Sequence, residues 1–330
     1  MAAVDLIEVW RGDLVECVHR GHVVVAGANG EILHTWGDPD AVIYPRSAFK
    51  MIQALPLIES GAADAVGLRV DQLALACASH HGAAIHTDRV QAWLAGLGLS
   101  DADFRCGPQV PGDHPARDRL IKTDKSPCQY HNNCSGKHAG FLTLNQHLGG
   151  DPEYIEIDHP VQKAVLAAFE EVTGETSPCY GIDGCSAPSH ATSVHGLARA
   201  MARFATAHDR SDARAVAQQR LVAAMTAHPE LVSGEGEACT ELMRATGGRL
   251  AIKGGADGAY VAILPDLRIG VALKIVDGSE RAKEAAIAAV LIKLGVLDAA
   301  HPAARRRVNT VMENRRGIAV GSVRPAAVLA

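Results

Sequence analysis

The chain has 330 residues, 48% apolar but only 4% aromatic, with a formal net charge of −5. No basic stripe with interleaved aromatics marks a nucleic-acid surface, and the short run Arg305-Arg306-Arg307 reads as solvated surface. No stretch approaches the ~18 apolar residues of a membrane span, and Asp5, Glu8 and Arg11 interrupt any N-terminal apolar signal, so a cytoplasmic protein that binds neither nucleic acid nor membrane is expected.

The first 36 residues read as strands. Residues 6–10, 14–19 and 22–25 are apolar or alternating, and Gly12-Asp13, Arg20-Gly21 and Asn29-Gly30 punctuate them as hairpin turns. The middle is helical. Val90, Trp93, Leu94 and Leu97 follow an expected N-cap at Thr87. Val161, Val165, Phe169 and Val172 follow Pro160, and two more helices are expected around Val194–Phe204 and over residues 216–225. Strands return at 250–253, 259–264 and 269–275, before a helix over 284–294 that stops at Gly295. Pattern therefore predicts an α+β fold with a mostly antiparallel sheet built from both chain ends and a helical lobe inserted between them. No repeat or linker divides the chain, so a single domain over 1–330 is expected.

Five segments carry chemistry. Arg46-Ser47-Ala48-Phe49-Lys50 contains Ser-x-x-Lys. On a helix that spacing puts both side chains on one face, where an amine with a depressed pKa can take the serine proton. Alone the pair is unspecific. It gains weight from Cys77-Ala78-Ser79-His80-His81-Gly82 after an apolar run, and from Lys253-Gly254-Gly255 on a late strand. The order parallels the Ser-x-x-Lys, Ser-Asp-Asn and Lys-Thr-Gly set of penicillin-recognising enzymes, with departures at the second and third elements that argue against penicillin as substrate. His131-Asn132-Asn133-Cys134-Ser135-Gly136-Lys137-His138 and Gly181-Ile182-Asp183-Gly184-Cys185 each place a cysteine in a Gly/Ser-rich loop just before an expected helical stretch. Two thiolates need a third donor to hold a soft cation, and Lys137 and His138 are the candidates.

Together these segments resemble the asparaginase II family of the rhizobial type. The resemblance implies a serine β-lactamase-like fold, a homodimer, and hydrolysis of L-asparagine. It implies two serine–lysine pairs, Ser47 with Lys50 and Ser79 with Lys253, and a zinc ion on Cys134, Lys137 and Cys185. Cys239 matches a cysteine placed near the active site. Arg46 and Asp183 are candidates for the α-carboxylate and α-ammonium of the substrate, with structural ion pairing as the alternative for each, and His138 is a further substrate-site candidate. Ser47 is the favoured nucleophile. Competing readings are an esterase or penicillin-recognising hydrolase on the same fold, and a non-catalytic zinc or thiol-redox protein.

Overall fold

The computed structural model describes residues 2–330. The chain forms two compact units. The sheet unit comprises the N-terminal segment through Ala48, Thr192–Thr206 and Glu241–Ala330; the helical unit comprises Phe49–Ala191 and Ala207–Thr240.

The sheet unit contains β1 (Val4–Arg11), β2 (Leu14–Ala26), β3 (Ile32–Trp36), β4 (Ala251–Gly254), β5 (Ala259–Leu264), β6 (Ile269–Ile275), β7 (Thr310–Glu313) and β8 (Ala319–Pro325). The strand order is β7-β8-β1-β2-β6-β5-β4, with β3 also paired to β2, and these pairs are antiparallel. Both chain ends thus build one sheet, as the residue pattern predicts. Every residue of β5 is buried, which requires cover on both faces. The helices Val194–Ala205 and Glu280–Lys293 pack on it and on β6.

The Arg20-Gly21 turn is absent. β2 runs through it as one 13-residue strand, in which Gly21 pairs with Val4 on one side and Ile275 on the other. The glycine answers a packing demand, because a Cβ there would lie 2.3 Å from the Lys274 carbonyl oxygen. The strand needs this length because its first part pairs with β1 and its last part with β3. Asn29-Gly30 does make the β2–β3 turn, with Gly30 at φ 82°.

In the helical unit the helix Ser135–Leu148 is central, and residues 135–145 are all buried. The helices Leu55–Glu59, Val70–Ala76, Ala84–Gly96 and Pro160–Thr173 pack around it. Gly136 permits the approach: a Cβ there would come within 2.4 Å of the Leu75 carbonyl oxygen. Thr87 does not cap its helix, which begins at Ala84; its hydroxyl instead contacts the Ala83 carbonyl at 3.5 Å, one turn back. Pro160 stands at the first position of its helix. Arg307 is buried rather than solvated, donating to Glu241 Oε2 at 2.7 Å. No helix among the described residues is long and apolar enough to cross a membrane.

Glycine placement makes a paired prediction. Gly270 lies where a Cβ would meet Ala202 N at 2.2 Å, whereas Gly96, at the end of its helix, would meet nothing within 4 Å. Gly270→Ala should lower unfolding stability by about 1–3 kcal/mol through overpacking, and Gly96→Ala should leave it unchanged or raise it by up to about 1 kcal/mol. Urea midpoints at constant m-value check both.

Candidate active site

The helical unit buries a lysine beside a serine. Lys50 opens the helix Lys50–Gln53 and is 1% exposed. Its Nζ donates to Ser79 Oγ at 2.8 Å, to the Ala78 carbonyl, and to Cys134 Sγ at 3.1 Å. Ser79 lies just beyond the end of the Val70–Ala76 helix, with its N–H bonded to the Val232 carbonyl at 2.9 Å. The Lys50–Ser79 contact is one that the sequence reading did not propose.

His80 ties this turn to the cysteine loop. Its backbone N–H donates to Asn133 O at 3.0 Å. Its Nδ1 accepts the Gly82 N–H at 3.1 Å, so Nε2 carries the hydrogen that reaches Ser135 Oγ at 2.9 Å. Burial, with His86 and Lys50 nearby, lowers His80 well below the usual imidazole range and keeps the ring neutral. The stacked His86, 4.7 Å away between centroids, is lowered too, again chiefly by burial.

The two candidate metal thiols come together with an amine. Lys137 Nζ donates to Cys185 Sγ at 3.0 Å, and Cys134 and Cys185 are themselves hydrogen-bonded. The Cys134 hydrogen bond and the Lys137 ammonium hold Cys185 well below the usual thiol range against its burial. The same bond to Cys185, reinforced by burial, raises Cys134. Lys137 is raised despite burial, because Cys185 and Cys134 face it. The donor set of two sulfurs and an amine fits a soft divalent cation such as zinc. It depends on the lysine: among the described residues no three His, Cys, Asp or Glu side chains form a metal-holding group. Cys106 is pushed up to about 12, chiefly by burial. Among the described residues all eight cysteines are thiols rather than disulfides.

His138 follows Lys137 on the same helix, fully buried, with Nδ1 2.8 Å from the Tyr154 hydroxyl. Burial and the Lys137 ammonium push it down to about 4. Asp183 shapes the Cys185 loop, accepting the Gly184 N–H through its carboxylate at 2.9 Å, and its charge acts on Lys137. Cys239 is buried at the second position of the helix Ala238–Ala245.

The sheet unit holds Ser47, Arg46 and Lys253. Residues Arg46–Phe49 form a 3₁₀ turn in place of the first turn of an α-helix, and Arg46 enters it at φ 52°. Arg46 is ion-paired with Asp257, the structural alternative that the sequence left open. Lys253, on β4, is 1% exposed and donates to the Gly254 carbonyl at 2.7 Å. Beyond it Gly255 abuts the serine turn: a Cβ there would lie 2.5 Å from Pro45 O and 2.9 Å from Ala48 N. Ser47 and Lys253 are thus carried by neighbouring backbone segments. Two further lysines fasten this turn, Lys283 donating to Gly255 O at 2.6 Å and Lys274 to Asp257 O at 2.6 Å. The sequence reading did not single out Asp257, Lys274, Lys283 or Tyr154, and it named Ser135 only within the Cys134 segment. The one available signal was the Gly-rich stretch around Asp257.

The buried histidines predict acid sensitivity. His138 titrates near 6.5 when exposed and about 4 in the fold. Its contribution is therefore complete above about pH 6.5 and is lost as pH falls toward 4, on the order of 3 kcal/mol for that shift. Metal-free protein should lose urea stability over this window. In His138→Gln the slope of stability against pH should be shallower there.

Comparison with known proteins gives one firm assignment. Similar solved structures include Mglu in its Tris and glutamate form (16% identity, TM-score 0.48, covering 84% of this chain and 60% of that one). They also include a putative beta-lactamase from Bacteroides dorei (14%, TM-score 0.42, 77% and 84%) and a beta-lactamase from Mycobacterium bovis (13%, TM-score 0.37, 83% and 94%). The chain spans less than two thirds of the length of the Mglu chain it matches. No curated protein matches it significantly. The sequence pattern of L-asparaginase II matches residues 7–325, nearly the whole chain, and on that match the chain belongs to the L-asparaginase II family.

Proposed function

We propose that this protein hydrolyses the side-chain amide of L-asparagine to L-aspartate and ammonia by serine–lysine chemistry. Family membership supports the substrate. The observation that carries the chemistry is the buried contact of Lys50 Nζ with Ser79 Oγ at 2.8 Å, since a hydroxyl becomes a useful nucleophile or proton relay only with a base in reach.

In the reading from family resemblance, Ser47 attacks the amide carbon, Lys50 takes its proton, and Ser79 with Lys253 forms a second couple that protonates the departing ammonia or activates water. The Lys50–Ser79 bond favours a second reading, in which Ser79 is the hydroxyl activated by Lys50. In both, an acyl-enzyme ester forms as the C–N bond breaks, the proton taken from the serine leaves with ammonia, and water then cleaves the ester. Arg46 is a candidate for the substrate carboxylate, with Asp257 holding one side of its guanidinium.

Cys134, Lys137 and Cys185 are the residues that would hold zinc. With two thiolates on it, such an ion would be a weak Lewis acid, suited to anchoring substrate or loops. The family resemblance also supports a cytoplasmic homodimer, which light scattering on the purified chain checks for mass.

Ammonia release from asparagine, compared with glutamine, tests the reaction; no release from either would end this reading. Replacing the nucleophilic serine by alanine should cut kcat by at least about 10⁴-fold, and Lys50→Met by about 10²–10⁴-fold. Ser47→Ala and Ser79→Ala assayed side by side identify the nucleophile. Near-normal turnover in both variants would exclude serine catalysis. Mass spectrometry of quenched enzyme should find the acyl adduct on the peptide of the serine that carries it.

A further inference from the structure

The phenol of Tyr154 is fully buried between two nitrogen atoms. Its oxygen accepts the Arg105 backbone N–H at 2.8 Å and lies 2.8 Å from His138 Nδ1. The phenol cannot swing elsewhere: the Tyr154 carbonyl is held by Gln162 Nε2 at 2.8 Å, and its ring packs against His138 and Phe141. A phenol has one hydrogen to give. Arg105 N–H offers no acceptor, so that hydrogen goes to His138 Nδ1. Heavy-atom positions alone do not reveal a histidine tautomer, but satisfaction of its neighbours does.

We propose that Tyr154 fixes His138 as the Nε2–H tautomer, so that His138 presents a hydrogen rather than a lone pair to the Cys134–Lys137–Cys185 cluster. His138 is then a positioning residue for that cluster and not a metal ligand. The last point rests on the zinc reading above; the tautomer does not.

Counting polar groups separates the alternatives. His138 Nε2 is buried without a well-aligned partner, and the group that acts on the ring both as a hydrogen-bond acceptor and as a charge is the Cys185 sulfur. With hydrogen on Nε2, that sulfur accepts it, in imperfect alignment, and no group is stranded. With hydrogen on Nδ1, both the Tyr154 O–H and the Nε2 lone pair are stranded in a dry interior, each carrying a desolvation penalty. A cation on Nε2 would relieve the lone pair but still strand the phenol hydrogen. The chain Arg105 N–H to Tyr154 O–H to His138 Nδ1 therefore turns a donor, not a lone pair, toward the cluster. It also aims a donor at the sulfur that most needs one, in the way outer-shell partners tune metal-binding groups.

Histidine ring ¹⁵N shifts, read by long-range correlation on metal-free protein at pH 7.5, test the tautomer. His138 should show a protonated Nε2 and a bare Nδ1; a protonated Nδ1 overturns the proposal. In Tyr154→Phe the preference should be lost. Zinc affinity, measured by competition with a chromophoric chelator, tests the role. His138→Gln, whose amide keeps an N–H near the Nε2 position, should stay within about tenfold of wild type, the lower end of outer-shell effects. Cys185→Ala and Lys137→Met should lose more than about 100-fold. An equal loss in His138→Gln makes His138 a ligand and overturns the proposal. If wild type binds no zinc, the zinc reading fails and the ¹⁵N result decides the tautomer by itself.

Discussion

The helical unit is organised around one buried lysine nitrogen. Lys50 Nζ lies against the Ala78 carbonyl, Ser79 Oγ and Cys134 Sγ. A buried polar group left without hydrogen-bond partners costs about 1–3 kcal/mol. Residues 78–79 and 134 are thus held in place by what Lys50 requires. The surrounding bonds extend the constraint, because Ser79 N–H binds Val232 O and His80 N–H binds Asn133 O. A group whose chemistry calls for proximity to a hydroxyl is also the group that assembles its own surroundings.

The sheet unit solves a similar problem with backbone oxygen. Around the turn that follows β4, Lys283 donates to Gly255 O and Lys274 to Asp257 O, while Arg46 pairs with the Asp257 carboxylate. Asp257 sits at φ 53°, in the left-handed region that few side chains adopt. Carbonyls pointing at fixed cations offset such a conformation, and they explain how a Gly-Gly edge keeps one position against the Ser47 turn. Gly255 permits close approach, but permission alone would leave the turn free to move.

Much of this was legible in the residues. Periodicity located the helices 160–173, 194–205 and 213–227 to within a few positions, and the apolar runs at both chain ends foretold one antiparallel sheet. The misreadings share a cause, namely that long-range packing overruled a local signal. Gly21 looked like a turn because its use, clearance for the Lys274 carbonyl, lies some 250 residues away in sequence. The Ser47–Lys50 spacing suggested an α-helix across both, and the chain instead makes a 3₁₀ turn with Arg46 left-handed before the helix that begins at Lys50. Tyr154 and Lys283 belong to no motif, and their partners are a ring nitrogen and a carbonyl that no pattern reveals.

The thiol cluster shows why protonation must be reasoned over the group. Lys50 and Lys137 bring two side-chain nitrogens to two sulfurs. Cys185, which receives both the Lys137 and the Cys134 hydrogens, is stabilised as thiolate. Cys134 keeps its proton and contacts Asn133 Oδ1 at 3.1 Å. A soft cation bound here must displace the Cys134 proton and one from Lys137, so its affinity rises with pH.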